Sequence, residues 1–316
     1  MRVLVTGADG FVGRRLVGRL VDTGHQVTAA CRPAQGPPSL GGEPWSDRVR
    51  TVPLELEDGI GVRQALSGAQ DAVVHLAAVA SVREAREDPG RAWAINAAGT
   101  ARVMDALISA RERGLSDPIV LYVSSSEVYG AGAAEPRVED DPMLPQSPYA
   151  ASKAGSEIAA LEAWRRAHLR VIIARPFTHT GPGQRPPYVV PAFIERLLAV
   201  KAGGPRRVPT GNLKPVRDLL DVRDVVDAYL ALLSSGAPGE TYNVARGEGI
   251  TLEQLFRRIA EIIGVEAEPF PDPNLLRSSD IPHLVGDATK LRQVTGWSPA
   301  ITLDQTLRDM VDAQTH

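Results

Sequence analysis

The chain has a single cysteine, Cys31, so it cannot form an intrachain disulfide. That fits a reducing compartment and excludes the disulfide-stapled secreted folds. Lysine is scarce, while arginine and alanine are abundant, which reads as a bias of coding composition rather than a functional signal. A net charge of −3 gives no positive excess of the kind that nucleic acid or an anionic membrane surface would attract. No run of about 18 apolar residues occurs, so no membrane span is expected. A strand pattern begins at Met1 with no signal peptide ahead of it, so a cytoplasmic location is expected. No metal is expected, and no internal repeat or low-complexity segment is visible. What is present, 43% hydrophobic and 23% charged among 316 residues, is ordinary for a soluble globular protein of one large or two coupled domains.

The pattern along the chain alternates. Arg2–Thr6 is an apolar run of strand length, followed by Gly7, Gly10 and Gly13 and then a helical pattern through Leu16, Leu20 and Val21 that ends at Gly24. Gln26–Cys31 reads as the next strand, and the Pro/Gly-rich stretch from Pro33 to Pro44 as a loop. Further strands are expected at Arg50–Leu56, Ala72–Leu76, Ile119–Ser124 and Arg170–Arg175, with helices near Ile60–Leu66 and over Ala92–Arg113 and Tyr149–His168. Strand–helix alternation with right-handed crossovers predicts an α/β fold, a doubly wound parallel (Rossmann) sheet. After Pro176 proline and glycine punctuate shorter elements, which predicts a smaller, irregular C-terminal domain. The expected division is a cofactor-binding domain over residues 1–175, with a segment near 215–245 returning to it, and a substrate domain mainly over 176–316.

Tyr149 and Lys153 lie in Ser147-Pro148-Tyr149-Ala150-Ala151-Ser152-Lys153, at the start of an expected helix. Their spacing puts both on one helix face. A free phenol has a pKa of about 10 and is a poor acid or base at neutral pH, and a nearby ammonium is expected to lower it. Alone, such a pair is usually an exposed helix face. It gains weight from the Gly7/Gly10/Gly13 turn, where glycines let backbone N–H groups approach a pyrophosphate and the following helix adds its positive end. As a strand-to-helix turn the triplet reads as nucleotide-binding rather than as a plain turn. A site for NAD would place Asp or Glu about 20 residues on, at the end of the second strand. Cys31 and Arg32 stand there instead, so Arg32 is either a solvated loop arginine or the partner of a 2′-phosphate. NADP(H) is therefore the favoured cofactor, with NAD(H) the alternative. Ser124-Ser125-Ser126-Glu127 runs off the end of a strand, where ligands of doubly wound sheets sit, although serines there are by default turn and cap residues. Glu127 is a candidate acid or base.

Together, Thr6–Gly13, His75-Leu76-Ala77-Ala78, Asn96-Ala97-Ala98-Gly99-Thr100, Ser124–Gly130 and Tyr149–Lys153 resemble the extended short-chain dehydrogenases/reductases that modify nucleotide sugars. The resemblance covers nearly the whole chain. It implies that Tyr149 is the acid/base for the sugar C4 hydroxyl, that Lys153 holds the nicotinamide ribose and that Ser125 orients the 4-oxygen. Glu55, beside Leu56, would lie near the adenine. Cofactor contacts would extend over Gly7, Gly10, Phe11, Val12 and Gly13, then Leu76, Ala77, Ala78 and Asn96. In the second half, Arg175–Gln184, Gly211–Asp218 and Arg277–Pro282 look like the GDP-6-deoxy-4-keto-mannose reductase branch, close to GDP-mannose 4,6-dehydratase. Arg217 and Arg277 would then clamp the substrate diphosphate and Asp280 would bind the nucleotide ribose, with Ser126 and Asn212 also facing the substrate. Thr178 stands where that branch usually has Asn.

The expected activity is NADP(H)-dependent reduction of the 4-keto group of a nucleotide-diphosphate 6-deoxy-4-ketohexose, GDP-linked. The rivals are a 4,6-dehydratase or 4-epimerase that retains its cofactor, and a non-catalytic NADP-binding sensor, which would have no need of Ser125, Tyr149 and Lys153 together. A homodimer through the Ala92–Arg113 and Tyr149–His168 helices is expected from the resemblance. If Arg32 pairs with a 2′-phosphate, Arg32→Ala weakens NADPH binding by about 1–3 kcal/mol and leaves NADH nearly untouched. Fluorescence titration with each cofactor checks this, and equal losses would reject it.

Overall fold

The structure, a computed structural model, describes residues 1–33, 40, 42–132, 134–276 and 281–315. Most of the expected loop between Pro33 and Pro44 lies outside them, as do Arg277 and Asp280. The first half runs β1 (Arg2–Thr6), α1 (Phe11–Asp22), β2 (Gln26–Cys31), β3 (Arg50–Pro53), α2 (Gly59–Ala65), β4 (Ala72–His75), α3 (Val82–Glu87), α4 (Pro89–Trp93), α5 (Gly99–Glu112), β5 (Ile119–Val123), α6 (Pro148–Ala167) and β6 (Val171–Pro176). The second half runs β7 (His179–Thr180), α7 (Val189–Lys201), β8 (Arg207–Thr210), β9 (Val216–Asp218), β10 (Leu220–Asp221), α8 (Val222–Ser235), β11 (Thr241–Val244), β12 (Gly249–Thr251), α9 (Leu252–Ile263), β13 (Glu268–Pro271), β14 (His283–Leu284), α10 (Thr289–Thr295) and α11 (Leu303–Thr315).

Seven strands form one sheet in the order β11-β6-β5-β4-β1-β2-β3, with every pairing parallel. This is the doubly wound sheet that the alternation predicts. Its strands are nearly all apolar because both faces are covered. Val3, Val5 and Val74 face a core with Leu16 and Leu20 of α1 and Val225 and Leu232 of α8. Leu4 and Val73 point the other way, toward Val103 and Leu107 of α5 and Ala160 of α6. β11 returns to this sheet from the second half, beside β6. The remaining strands make sheets of two or three, and α7, α9 and α11 share a separate core around Phe193, Phe256, Leu307 and Met310. No helix among the described residues is long and apolar enough to cross a membrane.

Several boundaries differ from the sequence expectation. The single helix over Ala92–Arg113 begins earlier, at Pro89, and breaks into α4, a π-helical turn at Ala94–Ala98, and α5 ending at Glu112. Pro89 can start it because its missing N–H is an orphan there, and Asp88 caps the turn by accepting from the Arg91 N–H at 2.9 Å. α3 is an element the apolar pattern did not reveal. Its signal is the Ser81-x-x-Glu84 capping pattern, and Ser81 accepts from the Glu84 N–H at 3.3 Å. β3 stops at Pro53 instead of Leu56, because the chain then turns and the Asp58 N–H donates to the Glu55 carbonyl at 3.1 Å.

Asp218, at the end of β9, is fully buried and accepts from the backbone N–H groups of Arg246 (3.0 Å), Gly247 (2.8 Å) and Gly286 (3.3 Å). It ties together three segments that are far apart in sequence and holds the strand that carries Arg217. Burial nevertheless pushes its carboxyl up to about 6. Asp218→Ala leaves three backbone donors without their acceptor, one buried and two part-buried, so stability falls by about 1–3 kcal/mol. Denaturant unfolding measures this, and an unchanged midpoint would show that the three bonds are replaceable by water.

Candidate active site

The crevice opens between β1 and β4, where the strand order reverses and the chain ends of neighbouring strands diverge. Gly7 leaves β1 with φ +67°, and a Cβ there would meet the Ala77 backbone nitrogen at 2.8 Å. A Cβ on Gly13 would meet the Gly7 carbonyl oxygen at 2.1 Å. The turn is therefore folded back against the first turn of α1 as closely as glycine alone permits. Gly10 opens α1 with no side-chain cap and no acid follows in the first turn, so the positive end of the helix is uncompensated by protein.

Thr6 joins the two turns that border the crevice. Its hydroxyl accepts from the Leu76 N–H and the Ala77 N–H, both at 3.1 Å, and so donates its own proton to His75 Nδ1 at 2.7 Å. That leaves His75 with its proton on Nε2, which donates to Thr100 Oγ1 at 3.2 Å. The imidazole is buried, and burial together with the charge of Lys153 pushes its pKa down to about 3, so it stays neutral. Asn96 sits in the π-helical turn with every polar atom engaged. Its Oδ1 accepts from Val79 N–H at 2.7 Å, and its Nδ2 donates to the Val79 carbonyl at 3.1 Å and to Ser152 at 2.8 Å. Asn96, expected as a cofactor contact, thus pins the Leu76-Ala77-Ala78 turn to α6 and has no side-chain donor left to offer. Phe11 and Val12 are half-buried beside the turn, Arg32 is exposed just past β2, Glu55 is half-buried, and Leu56 is buried against Gly99.

The catalytic candidates come from β5 and α6. Ser147 caps α6, accepting from the Ala150 N–H at 3.1 Å, and its hydroxyl donates to Glu127 Oε2 at 3.5 Å. The cap starts the helix so that Tyr149 stands in its first turn, where its hydroxyl is hydrogen-bonded to Ser125. Ser125 Oγ also accepts from the Glu127 N–H at 3.2 Å. Buried Ser126 continues the short turn toward Tyr129. Ser125, Glu127 and Tyr149 are thus brought together. The phenol of Tyr149 is pushed well above its ordinary range by burial, then by the charge of Glu127 and by Tyr188, with the Ser125 hydrogen bond opposing. The expected lowering by Lys153 is not found. Lys153 lies under the helix, where its ammonium donates to the Val123 carbonyl at 2.5 Å and sits 4.6 Å over the Tyr122 ring. Burial lowers its own pKa to about 7, opposed by Glu157.

Of the substrate-side candidates, Thr178 is half-buried and its carbonyl accepts from the Leu220 N–H at 2.9 Å. Asn212 Oδ1 accepts from the Lys214 N–H at 3.1 Å. Arg217 Nη1 donates to the Val216 carbonyl at 2.8 Å and the Ile281 carbonyl at 2.7 Å. Arg277 and Asp280, its expected companions, are outside the described residues. Tyr188, which precedes α7, was not found from sequence; 39 positions separate it from Tyr149 and no motif joins them. A cavity of about 410 Å³ lies elsewhere, between the 182–186 loop, Glu195 and Met310 near the end of the chain, and it includes none of these residues.

Residues 4–310 match the family model of GDP-mannose 4,6 dehydratase. The chain belongs to that family. It is 36% identical over 312 residues to GDP-6-deoxy-D-mannose reductase of Pseudomonas aeruginosa, covering 97% of this chain and 95% of the relative. The solved structure of RMD from Pseudomonas aeruginosa complexed with NADPH superposes with a TM-score of 0.83 at 34% identity, over 99% of this chain and 98% of that one. UDP-glucose 4-epimerase of Thermotoga maritima with UDP-glucose gives a TM-score of 0.88 at 28% identity, over 100% of this chain and 99% of the other. Reductases, dehydratases and epimerases of nucleotide sugars therefore share this frame. Gly13→Ala tests the cradle that frame needs. The added methyl collides with the Gly7 carbonyl, so NADPH affinity should drop at least about tenfold, or 1.4 kcal/mol, in equilibrium titration. Wild-type affinity in a folded variant would remove the turn from the cofactor site.

Proposed function

We propose that this chain reduces the 4-keto group of a GDP-linked 6-deoxy-4-ketohexose with NADPH. The observation that carries the reading is Tyr149, a phenol that burial keeps protonated beside Ser125 and Glu127. A ketone gaining hydride needs a proton donor at its oxygen, and a phenol that keeps its proton at neutral pH is suited to that task. The cradle fits a dinucleotide, because its two glycines let the backbone fold tightly where any Cβ would collide with it. Gly7, Gly10, Phe11, Val12 and Gly13 would hold the pyrophosphate, Arg32 a 2′-phosphate, Glu55 and Leu56 the adenosine end, and Leu76, Ala77, Ala78 and Lys153 the nicotinamide end. The bound nicotinamide supplies hydride to the sugar C4. Ser125 polarises the 4-oxygen, and Tyr149 donates its proton to it. Lys153 holds the ribose through its ammonium donors. Ser126, Thr178, Asn212 and Arg217 with Arg277 and Asp280 would line the nucleotide-sugar side. Under this reading the seven-stranded sheet is the cofactor domain and the α7, α9 and α11 core the substrate domain.

Glu127 supports the second reading, a 4,6-dehydratase that retains its cofactor. Its carboxylate lies close enough to raise the Tyr149 phenol, and water elimination needs such an acid/base near C5 and C6. For assembly, Trp93 on α4 and Ile158 on α6 are large exposed hydrophobics on neighbouring helices, which supports an isologous homodimer through those helices in a cytoplasmic enzyme. Mass spectrometry of products from GDP-, dTDP- and UDP-linked 4-keto-6-deoxyhexoses, with and without NADPH, tests the activity. Reduction should require NADPH, and Tyr149→Phe should lower kcat by about 10²–10⁴-fold at nearly constant NADPH affinity. Conversion of intact GDP-hexose to its 4-keto-6-deoxy product without added NADPH would replace reduction by dehydration, and a fully active Phe variant would remove Tyr149 as donor.

A further inference from the structure

Behind Lys153 lies a buried ion pair that the reduction chemistry does not use directly. Glu157 stands one turn further along α6, on the same face, and is almost wholly inaccessible. Arg175, near the end of β6, grips both of its oxygens. Nε donates to Oε1 at 3.0 Å and to Oε2 at 3.2 Å, and Nη2 donates to Oε2 at 2.7 Å. The other arm of the guanidinium, Nη1, donates to the Tyr129 hydroxyl and to the Glu139 carbonyl, both at 2.9 Å. Tyr129 in turn donates to Asn243 Oδ1 on β11 at 2.7 Å, and its ring lies 4.9 Å from the guanidinium centre. The carboxylate is thus held by a fork anchored on three elements, β6, the turn after β5 and β11. It is not free to rotate toward the ammonium, which instead donates to the Val123 carbonyl at 2.5 Å.

We infer that Glu157 and Arg175 are positioning residues for Lys153: the fixed carboxylate supplies the negative field that favours the charged ammonium against its burial, and the arginine sets how much of that field reaches it. The inference rests on the role given to Lys153 in the proposed function, and deepens it. The other titratable groups facing Lys153 supply no counter-charge. His75 on β4 is neutral, and the Tyr122 phenol on β5 and the Tyr149 phenol on α6 both hold their protons because burial raises them. Burial lowers Lys153 to about 7 even with Glu157 opposing it. Without that opposition an ammonium surrounded by neutral rings would lose its proton below neutral pH and, with it, the charged donors it offers the ribose. Arg175 prevents two failures at once. It satisfies a carboxylate that would be costly to bury alone, and it keeps that carboxylate from forming a direct contact pair that would pull Lys153 away from β5.

The sign of the consequence is definite. Lys153 is needed charged, so activity is lost as pH rises through its pKa. Removing the negative charge of Glu157 moves that loss to lower pH, and removing the positive charge of Arg175 moves it to higher pH. The experiment is NMR titration of the whole protein labelled with 13Cε-lysine, without substrate. The other lysines, Lys201, Lys214 and Lys290, lie at the surface or pair with Glu240, and Lys153→Met assigns the remaining signal. Glu157→Gln keeps size and a hydrogen-bond acceptor for Arg175, and should lower the Lys153 titration by about one pH unit or more. Arg175→Gln should raise it, and Arg175→Lys, which keeps the charge, should leave it near wild type. The falling limb of kcat/KM against pH should move in the same directions. If Arg175→Gln does not fold, Glu157→Gln and Arg175→Lys still decide. An unchanged Lys153 titration in Glu157→Gln overturns the inference, as does a shift in Arg175→Lys as large as that in Glu157→Gln. The titration is read without turnover, so failure of the reductase assignment leaves it intact. Undiminished catalysis by Lys153→Met, in contrast, would sink the role of Lys153 while the field of Glu157 could still be measured.

Discussion

Parallel pairing of β1 with both β2 and β4 is the constraint on which the rest of the molecule depends. When all strands run the same way, all their carboxyl ends open on one edge of the sheet. Thr6 and Gly7, Cys31, His75 and Leu76, Val123 and Ser124, Pro176 and Val244 then meet along that edge, although up to 238 positions separate them. The crossover from β3 back to β4 passes to the other side of β1, and this reversal parts the loops. Gly7 and Ala77 face each other across the gap so closely that only glycine fits.

The second theme is how charge is handled in a buried polar site. Unpaired charges are expensive there, so most of the titratable groups are held neutral and satisfied by hydrogen bonds. His75 is fixed in one tautomer between Thr6 and Thr100, and Tyr129 spans Arg175 and Asn243. Against this neutral background two anions stand out. Glu127 acts on the Tyr149 phenol, and Glu157 acts on Lys153. The Tyr149 phenol and the Lys153 ammonium therefore answer to different carboxylates. Burial first, and then Glu127, raises the phenol, contrary to the simplest reading of a tyrosine and lysine one helical turn apart.

Much of the cofactor side was legible. The glycine turn reads directly because its chemistry is local: backbone must come close to backbone, and only glycine allows it. The strand and helix order follows from apolar runs and breakers for the same reason. Where the structure departs from the simplest sequence reading, the causes are physical. Asn96 lies in a motif associated with the cofactor, but the π-helical turn at Ala94–Ala98 aims it at Val79 and Ser152, and helical periodicity does not show such a turn. Lys153 shares a face with Tyr149, yet its long side chain follows β5, because the Val123 carbonyl and the Tyr122 face offer it partners there.

By itself the sequence determined the class of fold, the tight glycine turn after β1 and the Ser125, Tyr149 and Lys153 set proposed for catalysis, since each depends on short-range spacing and the chemistry of a few neighbouring residues. Only the tertiary structure decided which groups are charged. The protonated phenol of Tyr149, the neutral tautomer of His75, the pairing of Glu157 with Arg175 from another element, and the three-way anchorage of Asp218 all depend on burial and on partners far along the chain. Protonation follows the local dielectric and the field of surrounding groups, and neither exists until the sheet has brought its strand ends together.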